Sequence, residues 1–73
     1  MRFGVAESAL KHGVPYGDVV RVAQTGDYLG QASDGLLWWL GLDGQGDGVE
    51  VAGIGKSDAV ILIHAMPMRW RRR

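Results

Sequence analysis

The chain has 73 residues, 8 Lys+Arg against 8 Asp+Glu, no cysteine and 47% hydrophobic residues, the composition of one small globular domain. Without cysteine, disulfides are excluded and zinc-ribbon or finger sites are disfavoured, and the longest apolar run, Leu36 to Leu42, is far short of the roughly 20 residues of a membrane-spanning helix. The zero net charge hides an asymmetry: four of the eight basic residues are Arg69, Arg71, Arg72 and Arg73, so a basic tail follows an acidic body.

The opening MRFGVAES lacks the apolar core of a signal peptide. Together with the absence of cysteine, this reads as a cytoplasmic protein. A domain of this size buries only roughly 60% of its unfolded surface and usually needs a staple. With neither a disulfide nor a metal or cofactor site indicated, the expected staple is another protein chain, a copy of itself or a different subunit.

In chain order, Glu7 to His12 reads as a short helix with Gly13 as its left-handed cap, and with Leu10 and Ala6 or Ala9 as its buried face. A second helix is expected from about Tyr16 to Gln24. Pro15 suits its first turn, Asp18 suits its positive end, and Tyr16, Val19, Val20 and Ala23 form one face. Asp27 to Gly35 is polar and aperiodic and reads as a loop. Three strand-like runs follow, at about 36–42, 49–54 and 59–64, joined by DGQGDG and GKSD turns. The expected fold is therefore α+β: two short N-terminal helices packed on a three-stranded antiparallel meander, with a basic tail at 69–73.

Two motif fragments fail on inspection. Gly55-Lys56-Ser57 lacks the first glycine of a phosphate-binding loop, because Glu50 stands there, and a strand rather than a helix follows. Asp43-x-Gln45-x-Asp47-Gly48 starts like a calcium loop but has Ile54 where a bidentate carboxylate is required. Both read as turns.

Trp38 and Trp39 must point to opposite sheet faces, one toward a core and the other toward an interface. Lys11 and His12 end a helix, where cations are favoured by its dipole. His64 closes the last strand beside a basic segment, and its ordinary pKa near neutrality suits acid–base work. Arg69, Arg71, Arg72 and Arg73 suit bidentate phosphate contact, and Trp70 among them can stack on an unpaired base. A solvated tail or an acidic protein partner would use the same charges.

Two segments carry a family resemblance. Ala9-Leu10-Lys11-His12-Gly13-Val14, followed by Asp18-Val19-Val20-Arg21-Val22-Ala23, resembles the A-x-K-H-G-V opening of BrnT-like toxins of bacterial toxin–antitoxin pairs. Ile61-Leu62-Ile63-His64-Ala65-Met66-Pro67-Met68-Arg69 is similar to the I-H-A-M-P-x-R ending of small actinobacterial relatives. The middle, from Trp39 to Asp43 and the V-E-V run, fits loosely. The resemblance implies a RelE-like fold with two short helices on an antiparallel sheet. It also implies a ribonuclease-type toxin neutralised by a bound antitoxin, as a homodimer or a toxin–antitoxin hetero-oligomer. The opening of the second helix departs from the family, with Pro15-Tyr16-Gly17 where Ser or Thr and acidic residues usually stand.

Metal-independent RNA cleavage uses the substrate's 2′-hydroxyl as nucleophile, and needs a base, an acid and a cation for the phosphate. The candidate catalytic residues are His64 or His12 as base or acid, Lys11 and Arg69 or Arg71 as phosphate stabilisers and Tyr16 as a secondary acid. Arg69, Trp70, Arg71, Arg72 and Arg73 are the candidate RNA-binding residues. Two non-catalytic readings stand beside this one: a protein-binding module using its sheet or Trp face, and an RNA-binding protein without cleavage.

Overall fold

The computed structural model describes residues 2–71. Strand β1 (Arg2–Val5) is followed by a 3-10 turn at Glu7–Leu10 and by helix α1 (Tyr16–Thr25). Strands β2 (Asp27–Gln31), β3 (Leu37–Leu42), β4 (Gly48–Gly55) and β5 (Ala59–Pro67) come next, and a final 3-10 turn spans Met68–Arg71. The five strands form one mixed sheet in the order β1-β5-β4-β3-β2. Only the β1–β5 pair is parallel.

The expected two helices on a three-stranded antiparallel sheet are therefore wrong. Residues 36–42, 49–54 and 59–64 do lie in an antiparallel β3-β4-β5 run, but that run is only the middle of the sheet. Asp27 to Gly35 is not a loop throughout: residues 27–31 pair with β3 as an exposed edge strand, kinked by a bulge at Tyr28/Gly30. Polar edge strands lack the apolar alternation by which strands are read. At the other edge, the four-residue segment RFGV pairs with β5 and turns Phe3 and Val5 against the core. The first predicted helix is only a 3-10 turn of four residues, with Ala9 buried and Leu10 exposed. The chain thus starts at one edge, crosses one sheet face through α1, enters at the far edge and meanders back to lie beside its own beginning.

Helix α1 packs through Val19, Val22 and Ala23, at i, i+3 and i+4, whereas Tyr16 is 58% exposed. Pro15 is the residue before the helix and not its first turn; its carbonyl accepts the Asp18 and Val19 N–H groups at 3.0 Å each. Gly26 ends the helix for want of space: a Cβ there would lie 2.6 Å from the Val22 carbonyl oxygen and 2.7 Å from that of Leu40. The helix covers Trp39, Val49, Val51, Val60, Leu62 and Ala65, which form the core with Ala9 and Val14. Among the described residues no α-helix packs on the opposite face, where Met68 of the final 3-10 turn lies beside Trp38 and Leu40. No helix among the described residues is long and apolar enough to cross a membrane.

Candidate active site on the open sheet face

A bulge decides where His64 points. Along β5, Val60 and Leu62 are buried, and so are Ala65 and Pro67, so the alternation slips by one residue between them. The register with β4 shifts at the same place: Ala52 is opposite His64, but Gly53 is opposite Leu62. Unbroken alternation would place His64 with Val60 and Leu62 under the helix. The extra residue, Ile63, turns it to the open face instead. Two contacts hold the bulge. Ser8 donates its hydroxyl to the Ile63 carbonyl at 2.7 Å, and the Ala6 N–H donates to the Leu62 carbonyl at 2.9 Å. The first 3-10 turn thereby continues along β5 where β1 stops. Gly53 tolerates the close strand approach because a Cβ would sit 2.8 Å from the Ile61 oxygen.

On the open face His64 meets Glu50, one row away on β4, with Nε2 and Oε2 2.8 Å apart. Glu50 is only 5% exposed. A buried carboxylate is costly unless paired, so this contact is a structural requirement as well as a chemical opportunity. In the tautomer that carries its proton on Nε2, His64 donates to the Glu50 carboxylate and leaves Nδ1 as an acceptor. Glu50 is placed to orient His64.

Trp38, Ala52 and His64 occupy one row across β3, β4 and β5. The small, buried Ala52 lets the Trp38 and His64 rings meet above it, with centroids 5.5 Å apart. On the other side of His64 lies His12 at 5.9 Å, and beyond it Trp70 at 5.4 Å, both edge to face. The result is a continuous row Trp38–His64–His12–Trp70. His12 reaches it because Gly13, in the left-handed region at φ +84°, turns the chain sharply after the first 3-10 turn.

Two clefts flank the two histidines. One, of about 410 Å³, is lined by Leu29, Trp38, Leu40, Glu50 and Met68. The other, of about 440 Å³, runs from His12 and Pro67 past Arg69 and Trp70 to the loop at Gly44 and Gln45. That loop is ordered by Asp43, whose carboxylate accepts the Gln45 and Asp47 N–H groups at 2.8 and 2.9 Å. The Asp47 and Gln45 hydrogen bonds hold the Asp43 carboxyl below its ordinary pKa. Arg69 lies 3.6 Å from Asp47 across the cleft mouth. A third hollow, beside Gly41 and Arg21, is remote from the histidines.

Of the residues expected at the site, His64, His12 and Trp70 come together, and Arg69 shares a cleft with His12 and Trp70. Lys11 and Tyr16 do not join them: both are exposed and make no ion pair among the described residues. The side chain of Arg71, and Arg72 and Arg73 entirely, lie outside the described residues. Glu50 was missed. Its one signal was a lone carboxylate inside the strand VEVAGI, where an unpaired charge would be expelled from a core. Among the described residues, no group of three or more His, Asp or Glu side chains is arranged to hold a metal ion. No family model, curated protein or solved structure matches this chain.

Proposed function

We propose that the protein cleaves RNA at the Glu50–His64–His12 row, as the toxin of a cytoplasmic toxin–antitoxin pair. The observation that carries the catalytic part is a solvent-reachable imidazole bonded at 2.8 Å to a buried carboxylate, with a second imidazole 5.9 Å away. An oriented imidazole beside a second imidazole supplies the two groups that general acid–base chemistry requires. His64 Nδ1 takes the proton of the 2′-hydroxyl, whose oxygen attacks phosphorus. His12, protonated, gives a proton to the leaving 5′-oxygen as the P–O5′ bond breaks. The products are a 2′,3′-cyclic phosphate and a 5′-hydroxyl. Arg69 offsets charge on the phosphate. The toxin role rests on the resemblance of Ala9–Val14 and Ile61–Arg69, the two segments that supply these histidines and Arg69. The RelE-like helix pair that the resemblance implied does not carry over.

A different reading, a protein-binding module, draws on the same face: Leu29 and Leu42 are 59% and 62% exposed there. Unstructured RNA incubated in chelator with protein freed from its partner separates the two. The cleavage reading expects cyclic-phosphate ends, lost in His64→Ala and His12→Ala. Intact RNA with the wild-type chain, or equal cutting by both variants, overturns it and leaves the binding module.

A further inference from the structure

Resting on that reading, we infer that the site takes single-stranded RNA, with the two bases around the cut phosphate splayed apart, one on Trp38 and the other on Trp70. Each flanking cleft holds one tryptophan, and each has a volume within the roughly 300–1,000 Å³ range of small-molecule pockets. The Trp38 cleft is otherwise walled by Leu29, Leu40 and Met68, with Glu50, bonded to His64, as its one carboxylate; its apolar walls suit the face of a nucleobase and not a phosphate. The Trp70 cleft is mixed, lined by Arg69 but also by Asp18 and Asp43. His64 meets Trp38, His12 meets Trp70, and the two histidines meet each other, so the histidine pair links the two platforms through ring contacts. A strand with one base in each cleft lays its linking phosphate over the imidazoles.

Paired bases expose neither stacking face, so a duplex cannot occupy both clefts; unpaired bases stack on aromatic side chains whatever their sequence. The local structure keeps both platforms in place. Ala52 beneath Trp38 is buried and small, and Trp70, in the 3-10 turn after β5 and 46% exposed, packs against the His12 ring. Glycine at position 48 leaves room for the Met68 side chain, which a Cβ would approach to 3.2 Å, and so shapes the wall of the first cleft.

The test measures binding of 2′-O-methyl oligonucleotides, which cannot be cut through the 2′-oxygen, to the full chain by anisotropy and tryptophan quenching. Single strands are expected to bind and quench, and the matching duplex to bind more weakly. Trp38→Ala and Trp70→Ala should each weaken single-strand binding about 5- to 150-fold, the loss of one stacked base, with duplex binding unchanged. Trp38→Phe, which preserves an aromatic face and the fold, should recover most of the loss. Equal affinity for single strand and duplex, or no loss in either alanine variant while circular dichroism shows them folded, overturns the inference. Cleavage that persists undiminished in Trp38→Ala overturns it while leaving the catalytic reading intact. Tryptophan-dependent single-strand binding by a chain that cuts nothing sustains it and removes the catalytic reading.

Discussion

On the covered face of the sheet, Val49, Val51, Val60 and Leu62 pack against Val19, Val22 and Ala23, and nothing in that layer titrates. On the open face, Trp38, Ala52 and His64 form one row, and Glu50 sits in the next beside Leu40 and Met66. The same three strands supply both. The covered side is built from interchangeable aliphatic groups whose energy scales with area removed from water. The open side holds a buried carboxylate, Glu50, which is costly unless paired and has His64 as one partner. Stability therefore belongs mainly to one face, and the Glu50–His64 pair lies on the other.

That division is open to direct attack. The largest expected effect is on the rate. His12→Ala should lower cleavage by about 10²–10⁴-fold, the usual contribution of a general acid, with little change in the denaturation midpoint. Glu50→Gln keeps the volume and a hydrogen-bonding amide, so its rate should fall far more than its stability. Were Glu50→Gln to unfold the chain instead, the open face would be as structural as the covered one. Next comes Leu62→Ala. Leu62 is fully buried under α1, so urea unfolding should show a loss of about 2–5 kcal/mol. Ala52→Leu would separate Trp38 from His64 and overpack the row, costing about 1–3 kcal/mol and shifting tryptophan emission. An unchanged spectrum would show that the two rings do not depend on that small residue.

Asp43 supplies a milder, pH-dependent check. Its hydrogen bonds from Asp47 and Gln45 depress its pKa in the folded state. The stability that it contributes is thus fully present above the ordinary Asp value of about 3.9, and is lost as pH falls through the lower folded value. Asp43→Asn, measured by thermal melts across that acid window, should flatten the dependence. A curve identical to the wild type would locate the acid sensitivity elsewhere. The smallest effect is expected at Leu42, on the open face and mostly in water, where Leu42→Ala should change stability by no more than about 0.5 kcal/mol. A larger loss in the free chain would mean that this face is covered in solution.

The strands β3, β4 and β5 were legible because alternating or continuous apolar runs end at glycine-rich turns. Helix α1 was legible from its valines and from Gly26. The two edge strands were not: β2 is polar and mostly exposed, and β1 has four residues, so neither carries a period. The helix face was also misjudged. Aromatic Tyr16 was expected inside, but the stripe at Val19, Val22 and Ala23 is the one that faces the sheet. At the site, His12, His64, Arg69 and Trp70 stood out by chemistry. Glu50 did not, because its role depends on a partner fourteen residues away on the next strand.

The sequence by itself determined the absence of cysteine among these 73 residues, opposite faces for Trp38 and Trp39, and the residue types of the segments that carry His12 and His64. Local pattern and composition suffice for these, because they concern neighbours along the chain. Only the tertiary structure decided that the first residues pair in parallel with the last strand, and that one bulged residue carries His64 from the core to Glu50. Both depend on register between distant strands, and a slip of one residue moves a side chain from one face of a sheet to the other.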